Sequence, residues 1–273
     1  MGEVVNCMEK YDVKFKKKFG QNFLKDVNIV KKIVNCANIE DNSLVIEVGP
    51  GGAIMTRELS KVATNVLAYE IDTELEEELS KRLYDCDNVD VVFQDFLLSN
   101  LIDDVADYSY KHLYFVSNVP YYITTPILMK LIESGLKFEK IVMMVQKEVG
   151  DRFSTQSGNK EYGSITVLLN YFYNVKKEFF VSRKQFVPEP NVDSVIISFS
   201  EKEDKLPLND FKFFEKLVRD SFQYKRKTLR NNLKGYNLEI IENVLSNYDL
   251  DLTVRAEALD VDIFVEMANA LKK

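Results

Sequence analysis

The sequence predicts an α/β protein, a Rossmann-like and mostly parallel sheet with helices on both faces, followed by a small all-helical C-terminal domain. Two patterns in the chain of 273 residues predict it. Between residues 43 and 149, short β-branched apolar runs alternate with segments of helical spacing, which is typical of βαβ units. Beyond residue 211 only helical spacing remains.

Five apolar runs predict the parallel strands. Because parallel strands need crossover connections, the intervening helical segments at 53–63, 74–84 and 126–135 should cover the sheet. Ligands of such sheets bind at the carboxyl ends of the strands. In order, the runs are SLVIEV (43–48), NVLAYE (65–70), VDVVFQD (89–95), HLYFVSN (112–118) and KIVMMVQKEV (140–149).

The pattern changes after residue 174. VKKEFFV (175–181) and SVIISF (194–199) predict two strands whose connection contains prolines and no helix. We therefore expect an antiparallel pairing at the edge of the sheet. The polar, proline-containing segment at 200–210 indicates a linker to the helical domain.

Composition excludes several functional classes. His112 is the single histidine, which argues against a Ser-His-Asp triad or a multi-histidine metal site, so no metal is predicted. The cysteines Cys7, Cys36 and Cys86 have neither metal-site nor disulfide spacing, as expected in a reducing cytoplasm. No apolar stretch reaches the length of a membrane-spanning helix, so we expect no membrane partner.

The distribution of charge favours an anionic partner, although the net charge is −7. Residues 70–107 hold 13 acidic and two basic side chains, whereas residues 210–236 hold eight basic and three acidic ones. Local positive charge of this kind suits a nucleic acid, and a solvated face without a partner is the alternative. The basic residues predicted to bind this partner are Lys225, Arg226, Lys227 and Arg230.

Three successive strand ends suit an adenosine-containing ligand. Gly49 and Gly51 lead from the first strand into a helix, but Ile54 stands where the dinucleotide fingerprint needs a glycine. The second strand ends in Glu70, where such folds bind ribose hydroxyls, and the third ends in Asp95, which can accept a hydrogen bond from an adenine amine. An adenosine without a pyrophosphate is therefore predicted, and S-adenosylmethionine fits. A tight turn with no ligand is the alternative.

The fourth strand ends in NVPYYITTP (118–126). Asn118 and the carbonyls around Pro120 offer acceptors for both hydrogens of an aromatic amine. Tyr121 offers a face on which a base taken out of its helix can stack. The alternative is a packed proline turn without a substrate.

Two further segments complete the predicted site. QFVPEPNVDS (185–194) places Phe186 near the same rim, where a second aromatic ring would sandwich the base. FGQNFLKD (19–26) precedes the first helix, and its Asn22 and Leu24 would close over the ligand. Taken alone, each has a simpler interpretation as a loop aromatic or a helix cap.

Together, FGQNFL, EVGPGG, NVPYYITTP, FVPEPNVDS and KRKTLRNNL resemble the ribosomal RNA adenine dimethyltransferases, from about residue 14 to the C-terminus. The resemblance implies a class I methyltransferase sheet in a donor-binding catalytic domain (1–203), with a flexible basic segment at 1–18, and a helical RNA-binding domain (204–273). It implies a cytoplasmic enzyme that dimethylates two adjacent adenines near the 3′ end of small-subunit RNA in an assembling subunit, and we expect a monomer. The donor-site residues that it implies are Asn22, Leu24, Gly49, Glu70, Asp95 and Asn118, and the base-stacking residues are Tyr121 and Phe186.

Two other functions stay open. The macrolide-resistance branch of the family modifies one adenine of large-subunit RNA, but Gly-Pro-Gly-Gly at 49–52 and Thr-Pro at 125–126 look like the small-subunit branch. A non-catalytic assembly factor could keep the fold, although the intact Asn-Val-Pro-Tyr motif argues against it. The chain departs from many family members at Tyr122, where they have asparagine, and in its acidic net charge.

Overall fold

The computed structural model describes residues 23–272, and a seven-stranded sheet dominates it. The strand order is β4-β3-β2-β5-β6-β9-β7, and a separate two-stranded ribbon pairs β1 with β8. The strands are β1 (Phe23–Leu24), β2 (Ser43–Val48), β3 (Asn65–Glu70), β4 (Val89–Phe93), β5 (His112–Ser117), β6 (Lys140–Gln146), β7 (Tyr173–Val181), β8 (Phe186–Val187) and β9 (Ser194–Glu201).

Strands β2 to β6 run parallel, with β2 in the middle. Ile46 of β2 is paired with Leu67 of β3 on one side and with Phe115 of β5 on the other. β9 runs antiparallel to β6, and β7 lies beyond it at the edge of the sheet. The predicted Rossmann-like, mostly parallel sheet is confirmed, and β9 and β7 occupy its end as neighbours.

Helices connect the strands and form most of the C-terminal region. The helix that precedes β2 begins after Asp26, whose carboxylate accepts a hydrogen bond from the Asn28 N–H at 2.8 Å. The helices are α1 (Val27–Ala37), α2 (Ile54–Ser60), α3 (Glu76–Arg82), α4 (Leu101–Ala106), α5 (Thr124–Glu133), α6 (Lys147–Phe153), α7 (Ser164–Phe172), α8 (Phe211–Ser221), α9 (Leu229–Asn232), α10 (Leu238–Ser246) and α11 (Val261–Leu271).

One predicted strand is shorter than its apolar run. The pattern predicts a strand over 140–149, but β6 ends at Gln146 and the chain turns into α6 at Lys147. The backbone N–H of Lys147 donates to the carbonyl of Asp193 at 2.9 Å, in the segment before β9. A short apolar run does not by itself distinguish a strand from the first turn of a helix.

Contacts divide the chain into two compact units. The first comprises the described residues up to Gly150 together with Lys176–Ser200, and the second comprises Asp151–Val175 and the described residues from Glu201 onward. Aromatic contacts join the two segments of the second unit. The ring centroids of Tyr171 and Phe214 lie 5.3 Å apart, and those of Phe172 and Phe211 lie 5.4 Å apart. The domain boundary predicted from the sequence, at 203/204, leaves residues 151–175 outside the helical domain. In the sequence, α7 is an isolated apolar run, and its contacts with Phe211 and Phe214 are seen only in the structure.

The core of the first unit lies between α1 and the sheet. Ile33 of α1, Val142 of β6 and Ile196 of β9 are completely buried in one apolar cluster. This burial fixes one face of the sheet and leaves the carboxyl ends of the strands to form a cavity. Within residues 23–272, no helix is both long and apolar enough to cross a bilayer.

We predict that Gly150→Ala destabilises the protein. A Cβ added at Gly150 would lie 2.3 Å from Cγ1 of Val195, a stiff β-branched side chain on β9. Overpacking of this kind costs about 1–3 kcal/mol, which should lower the Tm by several degrees in thermal unfolding. Gly235→Ala is the control, because a Cβ there meets nothing within 4 Å. Equal melting temperatures for the two variants would contradict the predicted clash.

Candidate active site

A cavity of about 290 Å³ lies at the carboxyl ends of β2, β3, β4 and β5. Each of these strands contributes its last residues or the turn that follows it. The described lining consists of Leu24, Val30, residues 47–52, Ile54, Met55, and residues 69–71, 94–97 and 118–123. The structure therefore brings together the three strand ends and the NVPYY motif that the sequence singles out.

The glycine loop after β2 forms one wall of the cavity. Gly49 and Gly51 have φ of 76° and 49°, values that side chains other than glycine rarely adopt. The Gly49 N–H donates to the carbonyl of Tyr69 at 2.8 Å, and Arg82 donates from Nη1 to the carbonyl of Gly52 at 2.8 Å. These contacts hold the loop against β3 and α3, so its backbone is a fixed surface that a ligand can approach closely.

Glu70 lies at the end of β3, where the sequence places it, and it is only 3% exposed. Its carboxylate accepts hydrogen bonds from the backbone N–H groups of Gly51 at 3.1 Å and Asp72 at 2.9 Å. Burial raises the pKa of Glu70, and these N–H donors oppose that rise. Each carboxylate oxygen can accept a second hydrogen bond, so the group can still bind a ligand hydroxyl.

Glu47 is a site residue that the sequence reasoning missed. It is 1% exposed on β2, lines the cavity, and its Oε2 has no hydrogen-bond partner within residues 23–272. Burial raises its pKa to about 8, the nearby Thr56 hydroxyl acts to lower it, and the neighbouring Glu70 adds to the rise. The available signal was a glutamate inside the otherwise apolar run SLVIEV, because an unpaired acidic side chain is rarely buried without a function.

The ends of β2 and β5 are tied together beside the motif. The Val48 N–H donates to Oγ of Ser117 at 3.3 Å, and the same hydroxyl donates to the Val48 carbonyl at 2.6 Å. Asn118 follows directly and lines the cavity. At the end of β4, Asp95 also lines the cavity, and one of its oxygens accepts a hydrogen bond from the Leu97 N–H at 2.9 Å.

Tyr121 is anchored at the cavity wall. Pro120 precedes the 3₁₀ turn Tyr121–Ile123, and the Ile123 N–H donates to the Pro120 carbonyl at 3.1 Å. The hydroxyls of Tyr121 and Ser194 share a hydrogen bond of 2.6 Å. Burial raises the pKa of Tyr121, so the phenol stays neutral at physiological pH. The ring is thus held at both ends, by its backbone turn and by its hydroxyl.

Phe186 does not lie where the stacking hypothesis needs it. The pairing of β8 with β1 sets Phe186 opposite Leu24, and Phe186 is 1% exposed within the apolar cluster that includes Val30. It is not part of the described cavity lining, so in this conformation its ring does not face the cavity, and its stacking role stays a prediction. Leu24 does line the cavity, and Asn22 lies outside the described residues.

The charge of the cavity is one-sided. Its described lining contains the carboxyl groups of Glu47, Glu70 and Asp95 and no lysine or arginine. Such a wall favours a ligand with positive charge, beside which Glu47 would ionise, over a phosphate or pyrophosphate.

The four basic residues predicted to bind RNA belong to the second unit. Lys225, Arg226 and Lys227 lie in the turn between α8 and α9, and Arg230 lies on α9. All four side chains are exposed. Lys225 donates a hydrogen bond to the carbonyl of Lys160, and Arg230 forms an ion pair with Glu242 at 3.4 Å. The turn is therefore an exposed group of cations in an otherwise acidic chain.

The chain was compared with known families and curated proteins. Residues 12–273 match the profile of the family described as Ribosomal RNA adenine dimethylase. The chain is 46% identical to a ribosomal RNA small subunit methyltransferase A of Streptococcus gordonii, and the match covers 97% of this chain and 94% of that protein. It is 45% identical to the protein of the same name from Streptococcus sanguinis, with the same coverage.

Solved structures show the same fold. A dimethyladenosine transferase from Plasmodium falciparum matches with a TM-score of 0.76 and 28% identity, over 90% of this chain and 95% of that one. The 23S rRNA methyltransferase ErmE matches with a TM-score of 0.71 and 24% identity, over 92% of this chain and 100% of that one, which shows the fold alone.

The raised pKa of Glu47 predicts a pH dependence of stability that Glu47→Gln removes. The folded protein retains a proton that the unfolded chain releases above about pH 4.5. The wild type should therefore lose stability relative to Glu47→Gln as the pH rises from about 4.5 to 8, by up to about 1.4 kcal/mol per pH unit. Denaturant unfolding across this range measures the difference.

The exposed Glu76→Gln is the matched control in the same unit. It removes one carboxyl group from the exposed surface and so controls for the loss of an acidic side chain without changing a buried site. A flat difference for Glu47→Gln would contradict the burial of an uncompensated carboxyl group at this position.

Proposed function

The chain belongs to the ribosomal RNA adenine dimethylase family, and from that membership we propose that it uses S-adenosylmethionine to dimethylate the exocyclic amines of two adjacent adenines. We place these adenines in the 3′-terminal hairpin of small-subunit ribosomal RNA, within an assembling small subunit. The observation that carries the proposal is that Glu70, Asp95 and the NVPYY motif line one cavity whose described lining has no lysine or arginine. The cytoplasm, where ribosomes assemble, is the proposed location, and a monomer is the proposed state.

The residues of the cavity fit this donor, which supplies an electrophilic methyl group on a positively charged sulfur. Glu70 would accept hydrogen bonds from the ribose hydroxyls, and Asp95 from the adenine amine. Gly49 and Gly51 would let the donor lie against the backbone. Glu47, whose pKa is raised to about 8, would ionise beside a cationic group, because an opposite charge favours its charged form.

The motif at the end of β5 would handle the target amine. An aromatic amine is a weak nucleophile, because its lone pair is delocalised into the ring. The Asn118 side-chain oxygen and a backbone carbonyl near Pro120 would each accept one of its hydrogens and so direct the lone pair out of the ring plane. Tyr121 would stack the extruded base, and its bond to Ser194 keeps the ring in place. These residues would act by orientation and proximity rather than as a strong base.

The alternative functions receive less support. The match to ErmE shows the fold alone, whereas the two small-subunit relatives share 45–46% identity over nearly the whole chain. A non-catalytic assembly factor would not need Glu47, Glu70 and Asn118 around one cavity, because buried acidic groups cost stability. We therefore keep the small-subunit enzyme as the proposal.

The second unit would supply the RNA contacts. The exposed cations at residues 225–227 and at Arg230 would neutralise phosphates, and the acidic chain elsewhere would repel RNA. Residues 204–273 are accordingly proposed as the RNA-binding domain and residues 1–203 as the catalytic domain.

Methyl transfer tests the proposal directly. The protein is incubated with labelled S-adenosylmethionine and either undermethylated small subunits or naked large-subunit RNA, and the methylated bases are then mapped. We expect two dimethylated, adjacent adenines near the 3′ end of small-subunit RNA. A single methylated adenine in large-subunit RNA would establish the macrolide-resistance branch instead, and no transfer to either RNA would favour the assembly factor.

Asn118→Ala should separate chemistry from donor binding in the same assay. The hydrogen bond from the amine to Asn118 would strengthen in the transition state, so its loss should lower the single-turnover rate by about 100-fold or more and lower donor affinity far less. Calorimetric donor binding and the Tm provide the controls. A folded Asn118→Ala protein with the wild-type rate would contradict the proposed mechanism.

Neutralising the basic turn should weaken RNA binding and its salt dependence together. Replacing Lys225, Arg226, Lys227 and Arg230 by glutamine should reduce the slope of log K against log salt by about 0.7–0.9 for each phosphate that the protein no longer neutralises. A matched variant that replaces the exposed Lys31, Lys32, Lys61 and Lys111 of the first unit controls for net charge. If both variants bind RNA equally well at every salt concentration, the RNA surface lies elsewhere.

A further inference from the structure

Tyr122 differs from the other aromatic residues of the cavity in its exposure. It is 63% exposed, whereas Tyr69 is 1% and Phe96 3% exposed. Its hydroxyl makes no hydrogen bond to any residue of the described chain. A single exposed ring is common on protein surfaces, but this one lines the cavity in which the target base would bind.

The turn that holds Tyr122 is fixed by hydrogen bonds, whereas its side chain is mostly exposed. The Thr124 hydroxyl donates to the Tyr121 carbonyl at 3.2 Å, and the Ile123 N–H donates to the Pro120 carbonyl at 3.1 Å. Little backbone entropy would therefore be lost when a ligand stacks on the Tyr122 ring.

The rings of Tyr121 and Tyr122 cannot both stack on the same face of one base. Successive side chains in a 3₁₀ turn point about 120° apart, because the turn has three residues. Tyr121 is committed to the cavity wall by its bond to Ser194. Tyr122 therefore presents its ring to a different group at the mouth of the same cavity.

The proposed substrate supplies such a group. When one adenine leaves the stack and enters the cavity, its neighbour in the chain loses a stacking partner. An exposed aromatic ring can replace that partner, as in other single-stranded RNA contacts.

We propose that Tyr122 stacks the nucleotide adjacent to the target adenine. This inference rests on the proposed function, because it requires two neighbouring bases at one cavity. Tyr122 thereby selects substrates in which the target has a base, preferably a purine, beside it. When the second adenine enters the cavity, the first takes the place on Tyr122.

A hairpin with 2-aminopurine in place of one adenine tests this inference. This base lacks the 6-amino group, so only the other adenine can be methylated, and its fluorescence falls on stacking. We expect wild type and Tyr122→Phe to quench the reporter on binding and Tyr122→Ala to leave it bright. The exposed Tyr84→Ala, which lies outside the cavity lining, should behave as wild type.

Kinetics on the same hairpin give a second readout. Tyr122→Ala should raise KM for RNA by roughly 5- to 100-fold and leave the single-turnover rate at saturating RNA within about 3-fold. On a hairpin in which the nucleotide next to the target lacks its base, wild type and Tyr122→Ala should have the same KM. Without that base, the Tyr122 ring has nothing to stack on, so its removal costs no affinity.

Three results separate the possible failures. Wild-type quenching and KM in Tyr122→Ala would overturn the stacking role. A KM defect of Tyr122→Ala that persists on the abasic hairpin would show a merely structural role and overturn it as well. A wild-type protein that methylates neither the unmodified hairpin nor undermethylated small subunits would contradict the proposed function, and the inference would fall with it.

Discussion

The double-sided pairing of β2 is the constraint on which the rest of the structure depends. Ile46 is paired with a neighbour on each side, and both neighbouring strands run in the same direction. A parallel register brings the carboxyl ends of adjacent strands to one edge of the sheet. The glycine loop, Glu70 and Asn118 therefore meet at one cavity, although they lie up to 69 residues apart, the separation spanned by the hydrogen bonds between Val48 and Ser117.

The cavity contains groups that work against folding. Glu47 is buried with an oxygen that has no hydrogen-bond partner in the described chain, and Glu70 is buried with only backbone N–H donors around it. Burying a carboxyl group without a cation is unfavourable. The arrangement is kept because the neighbouring strands and the apolar cluster around α1 hold β2 in place. The same arrangement gives an acidic wall that suits the proposed cationic donor, whose binding would offset the cost to stability.

The aromatic and basic residues differ in how firmly the structure holds their side chains. Tyr121 is fixed by its hydroxyl and its turn, which suits a residue that must hold a base at a set position. Tyr122 and the cations at residues 225–227 are exposed, which suits contacts with a large and mobile polymer. The net charge of −7 therefore says little about RNA binding, because attraction depends on where the charges lie.

The sequence by itself determined the parallel sheet, the order of its strands along the chain and the residues at three strand ends. These features depend on local properties of the chain. The spacing of β-branched residues predicts β2 and β3, and the backbone freedom of glycine predicts the turn after β2. Tertiary structure alone decided three others. The side chain of Phe186 is buried because β8 pairs with β1, α7 joins the second unit through Phe211 and Phe214, and Glu47 becomes a site residue because its strand is enclosed on both sides. Each depends on a partner distant in the chain, and local spacing contains no record of which partner a side chain will meet.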